Sequence, residues 1–143
     1  MSDLSHVNRA GEASMVDVSA KPATARMARA EGCIRMSAGA LRAIRDNSLA
    51  KGDVLAVARI AGIQAAKRTA DLIPLCHPLP LTDVQVRFVL DDALHGVRCE
   101  AEARTMAATG VEMEAITAVA VALVTIYDMA KSIDKGMRID GVR

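Results

Sequence analysis

Two runs of alternating residues constrain this chain more than anything else in it. Val84, Val86, Phe88 and Leu90 are interleaved with Gln85 and Arg87, and Val97, Cys99, Ala101 and Ala103 with Arg98, Glu100, Glu102 and Arg104. A period of two sends alternate side chains to opposite faces of a strand. The short Asp91–Gly96 connection joins the two runs as an antiparallel hairpin. A hairpin in mid-chain argues against a doubly wound sheet, whose parallel strands are joined by crossover helices.

The flanking segments complete the plan. Thr24–Met36 reads as a strand with weak alternation. Ser37–Asn47 reads as a short helix capped by Ser37. Gly52–Asp71 reads as a longer helix, with Val54, Val57, Ala58, Ala61, Ala65 and Ala66 on its 3.6-residue period. Gly110–Lys135 reads as a long helix that Thr109 and Glu112 open as a capping box and Gly136 closes. Met137–Val142 reads as a last strand. The expected fold is α+β: a ferredoxin-like antiparallel sheet with helices packed on one face and an additional helix. A chain of 143 residues is one domain. We expect a polar N-terminal arm over residues 1–22 and a single ferredoxin-like domain over 23–143.

Composition narrows the function. Eighteen Lys and Arg against seventeen Asp and Glu leave a net charge of +1, with no basic field for nucleic acid. One Phe, one Tyr and no Trp leave no stacking platform for bases. Cys33, Cys76 and Cys99 are scattered and odd in number, which points away from a zinc site or a disulfide framework. No metal-ligand cluster is evident, and no metal is assigned. The N-terminus has no apolar signal core, and Ala115–Tyr127 is short for a bilayer span of about 20 residues. A reducing cytoplasm is the expected compartment. The long helix is apolar nearly all round, through Val111, Met113, Ile116, Val119, Val121, Leu123, Val124, Ile126 and Met129. One sheet covers one stripe of it, so its remaining surface calls for a second copy, the N-terminal arm or the second helix.

Four groups could carry chemistry. In Asp71–Pro80, Pro74, Pro78 and Pro80 stiffen the chain around His77, an imidazole able to move protons near neutral pH. Equally, Pro74 could simply end a helix while His77 packs, and Cys76 reads as a small buried hydrophobe. Asp128 and Lys131 share a helix face; in a low-dielectric site Asp128 could act as a base and Lys131 as an acid or anion ligand, and on the surface they would be a helix-end ion pair. Glu114, beside Met113, could accept hydrogen bonds from a heterocycle edge or merely favour the helix dipole. Lys51, Arg59, Lys67 and Arg68 could take phosphates or form a solvated cationic face.

Taken together, these segments resemble the cyclic pyranopterin monophosphate synthases of molybdenum cofactor biosynthesis. The resemblance runs from Gly11-Glu12-Ala13 and Met15–Ser19 through Lys51–Val54, Ala58–Lys67 and Leu72–Pro78. It continues through Thr109–Ala115, Ile126–Met129 and Lys131, nearly the whole chain in one order. It implies a lyase that converts 3′,8-cyclo-7,8-dihydroguanosine 5′-triphosphate, made by an upstream radical enzyme, to cyclic pyranopterin monophosphate with release of pyrophosphate. It implies a homohexamer, a trimer of dimers, with sites between subunits. Asp128 becomes the active-site residue and Lys131 its partner. Leu75, Cys76 and His77 form one substrate-binding segment, Met113 and Glu114 another, and Lys51 and Lys67 match lysines of the site. No protein-bound cofactor is implied, and whether Mg2+ accompanies the triphosphate stays open. Family members usually continue into a glycine-rich tail containing lysines; the sequence ends at Arg143, so no such lysine is assigned. The competing expectation is a non-catalytic small-molecule-binding module of the same fold.

Overall fold

The computed structural model describes residues 5–143. The first four residues of the expected arm, Met1–Leu4, lie outside the described residues. In chain order the elements are β1 (Thr24–Arg35), α1 (Ala38–Arg45), α2 (Val54–Lys67), α3 (Thr69–Leu72), β2 (Leu81–Asp91), β3 (Gly96–Ala107), α4 (Glu112–Ala130) and β4 (Arg138–Asp140). The strands form one sheet in the order β2-β3-β1-β4, with every neighbouring pair antiparallel. This is the expected ferredoxin-like α+β arrangement, with α1 as the additional helix.

The hairpin pairs Val86 with Ala101, Phe88 with Cys99 and Leu90 with Val97. β3 then lies between β2 and β1, and its Val97, Ala101 and Ala103 are fully buried. α2 and α4 cover the same face of the sheet. Small residues set their depth. A Cβ on Gly32 of β1 would stand 3.0 Å from Leu123 Cδ1 and 3.1 Å from Val119 Cγ1 of α4. A Cβ on Gly62 of α2 would stand 3.0 Å from the Ala118 carbonyl oxygen and 3.3 Å from Ala122 Cβ. α2 therefore covers a second flank of α4 and meets part of the demand its apolar surface creates. Val124 remains exposed.

Several ends differ from the sequence reading. The Gly52–Asp71 helix is two elements. Asp53 caps α2 by accepting from Ala56 N, and the chain breaks at Arg68. There the Thr69 hydroxyl donates to the Ala65 and Ala66 carbonyls. Val57, expected on the buried face, is exposed. The long helix is shorter at both ends. Val111 caps it without a side-chain bond, so the Thr109–Glu112 capping box does not form. The Glu112 carboxylate instead folds back over Gly110, where it leaves no room for a Cβ. Ile133 N and Asp134 N both donate to the Ala130 carbonyl, so the helix ends there, ahead of Gly136. Gly136 N donates to Asp134 Oδ1 in the turn that follows. Even so, α4 extends past the Ala115–Tyr127 run, and its 19 residues are long and apolar enough by length and composition to cross a bilayer. More than half of that stretch is buried inside the domain, which accounts for its apolar character.

Candidate functional site

The predicted site residues gather at the two ends of α4. At its C-terminal end, Asp128 stands between two ammonium groups. Lys131 Nζ lies 2.8 Å from Asp128 Oδ1, and Lys51 Nζ lies 3.0 Å from Oδ2 and 3.1 Å from the Asp128 carbonyl oxygen. Lys51 reaches it because the head of α2 lies beside the tail of α4. The hydrogen bonds from Lys131 and then Lys51 hold the Asp128 carboxyl below its ordinary range, and Asp128 raises Lys131 in return. Asp128 and Lys131 are therefore both ionised at neutral pH. The low-dielectric setting considered for the pair is absent within one chain: Asp128 is 55% exposed and Lys131 48%.

At the N-terminal end, the Leu75–His77 segment lies against the first turn of α4. Leu75, Cys76, His77, Met113, Thr109 and Gly110 line a cleft of about 660 Å³, its walls mostly apolar. His77 is tied to the N-terminal arm: its Nε2 lies 2.6 Å from the Val16 carbonyl oxygen. The Cys76 thiol donates to Glu114 Oε1 at 3.8 Å. Glu114 is 3% exposed, and its Oε2 has no hydrogen-bond partner among the described residues. Burial pushes the Glu114 carboxyl above its ordinary range, and burial followed by the Glu114 charge pushes the Cys76 thiol up. A buried carboxyl with one oxygen free beside a cleft is equipped to bind an N–H edge.

The basic group does not stay together. Lys51 precedes α2 and Lys67 is its last residue, so the helix itself, about 20 Å long, lies between them. Arg59 is occupied: its Nε donates to the Val86 carbonyl at 3.1 Å, and its guanidinium lies over the Phe88 ring. Likewise, Glu114 and Asp128 are fourteen residues and about 21 Å apart along α4, one buried and one exposed. One chain thus holds its candidate residues in two separate groups.

Sequence reasoning missed two features of this surface. His6 and Ala13 of the arm line the cleft, and Lys51 bonds Asp128. A lone histidine in a polar segment carries no signal of the first, and no local pattern links positions 77 residues apart. A second cavity, of about 490 Å³, opens on the sheet face away from the helices. Its arginines are already paired: Arg35 with Asp140, Arg87 with Glu100, Arg98 with Asp91 and Arg143 with Glu31. Among the described residues, no group of three or more His, Cys, Asp or Glu is placed to hold a metal ion.

Comparison with known proteins bears on this arrangement. The MoaC family model matches residues 15–143. A cyclic pyranopterin monophosphate synthase of Cereibacter sphaeroides is 58% identical over 143 residues, covering all of this chain and 90% of that protein. A protein of the same name from Methylobacterium sp. is 59% identical over 143 residues, covering all of this chain and 89% of its own length.

Proposed function

Since the chain belongs to the MoaC family, we propose that it is a lyase of molybdenum cofactor biosynthesis. It converts 3′,8-cyclo-7,8-dihydroguanosine 5′-triphosphate to cyclic pyranopterin monophosphate and pyrophosphate. The observation that carries the reading is the Lys51–Asp128–Lys131 cluster together with the mostly apolar cleft lined by Cys76, whose thiol bonds the buried Glu114. Opening a purine-derived ring and rebuilding it as a pterin needs proton transfers at fixed places. Asp128 is the carboxylate that accepts a proton. The lysines around it orient it and meet phosphate charge. A ribose hydroxyl then attacks the α-phosphate, a new P–O bond forms, and the bond to the β-phosphate breaks to release pyrophosphate. The heterocycle fits the cleft, where Leu75 and Met113 cover apolar surface and His77 and Glu114 read polar edges.

The two separate groups give this reading its assembly. A substrate that needs Asp128 and the cleft together finds both where the tail of one α4 meets the head of another. The working unit is a homo-oligomer with sites between subunits, and the family resemblance makes it a trimer of dimers. Closure by a second copy also removes water from Asp128 and Lys131, which one chain leaves exposed. The compartment is the cytoplasm, where a nucleoside triphosphate derivative is supplied by an upstream radical enzyme.

The test is incubation of the purified chain with the cyclised nucleotide, with pyrophosphate and the pterin product assayed together. Stoichiometric appearance of both supports the reading. Binding without turnover points to the non-catalytic module instead. Repeating the assay in a chelator decides whether Mg2+ takes part.

A further inference from the structure

The cleft has a wall to which the reaction assigns no role. His6 and Ala13, from the N-terminal arm, line it together with Cys76 and Met113. The arm has a built local structure. Asn8 Oδ1 accepts from Ala10 N at 2.9 Å and from Glu12 N at 3.0 Å, and Asn8 Nδ2 donates to Glu12. Gly11 takes the left-handed conformation, φ 82°, that this turn needs. The turn is closed by a bridge between Val7 and Ala13 and by a hydrogen bond from Ser14 N to the His6 carbonyl. Beyond it, Ser14, Val16 and Val18 are half-buried while Met15 and Asp17 are exposed, so the segment lies extended with one side against the domain. His77 fastens it there through the Val16 carbonyl.

We infer that His6 is a further substrate-contact residue, presented to the cleft by the Asn8 turn and held in place by the His77–Val16 hydrogen bond. Polar groups are few in this mostly apolar cleft: beside His6 they are Cys76, His77, Thr109 and Glu112. Few polar groups in an apolar pocket are those that orient a ligand. An imidazole offers one N–H donor and one acceptor, which suits a flat heterocycle edge carrying both. The ligand class is a guanine-derived nucleotide, and in this the inference rests on the proposed activity.

Two measurements on the full chain test it: calorimetric affinity for GTP as an unreactive probe, and steady-state kinetics with the cyclised nucleotide. His6→Ala should weaken GTP binding and raise KM by roughly 3–10-fold, the scale of one hydrogen bond, with kcat nearly unchanged. His6→Gln keeps a donor and an acceptor and should recover most of that loss. Asn8→Ala should reproduce the His6→Ala effect, and the double variant should be no worse than either single one. Wild-type affinity and KM in His6→Ala overturn the inference, as does a loss that His6→Gln does not recover. If the unaltered chain fails to turn over the cyclised nucleotide, the activity reading falls, and GTP affinity alone decides the role of His6.

Discussion

Lys51 Nζ lies 3.0 Å from Asp128 Oδ2 although 77 residues separate the two in sequence. The contact joins the head of α2 to the tail of α4, and with Lys131 it gives each Asp128 oxygen its own cation. Asp128 is thereby aimed before any substrate arrives.

Asp128→Asn keeps the volume and one acceptor oxygen and removes the carboxylate. Single-turnover rates should fall by roughly 10²-fold or more, the scale of a lost acid–base group. Because the three side chains are about half exposed, the melting temperature and oligomeric state should stay at their wild-type values. Lys131→Met should behave in the same way. Single-turnover rates at the wild-type level in both variants would remove the pair from the chemistry.

The two outer lysines should act through phosphate. Lys51→Ala and Lys67→Ala should each weaken binding of a guanosine triphosphate analogue, and the loss should fade for an analogue without phosphates. Titration calorimetry with both analogues separates the cases. Equal losses for both would indicate damage to the fold.

Glu114 carries a stability prediction. Burial raises its folded-state carboxyl above the ordinary value. Between those two values the folded chain keeps a proton that the unfolded chain has released, so stability falls as pH rises through that window. Glu114→Gln removes this contribution. From about pH 4 to pH 8 the wild type should lose more melting temperature than the variant. Parallel curves would show that the carboxyl is not held protonated.

What was legible in the sequence follows from the range of each signal. The Val84–Leu90 and Val97–Ala103 alternation gave the hairpin, because a strand's period is a local property. Ser37 announced α1 for the same reason, its hydroxyl reaching Ala40 N three residues on. Helix ends were less legible where two local partners compete. Glu112 had the spacing for a capping box but folds over Gly110, and Asp134, not Gly136, organises the turn after α4. The site residues could be named from the family motifs. Their division between the two ends of α4 could not, because it depends on which side of the helix each turn exposes: Glu114 lies beneath the Leu75–His77 segment, and Asp128 faces out beside Lys51.

That division is the central claim, and mixing two inactive variants tests it most directly. Asp128→Asn disables one half-site and His77→Ala the other. If each complete site joins the tail of α4 from one copy to the cleft of another, subunit exchange between the variants rebuilds some sites from two unaltered halves. Random pairing in a two-fold interface should restore about a quarter of wild-type turnover. Turnover that never exceeds the sum of the two variants alone, after exchange has been verified, would contradict the account and place the whole site within one chain.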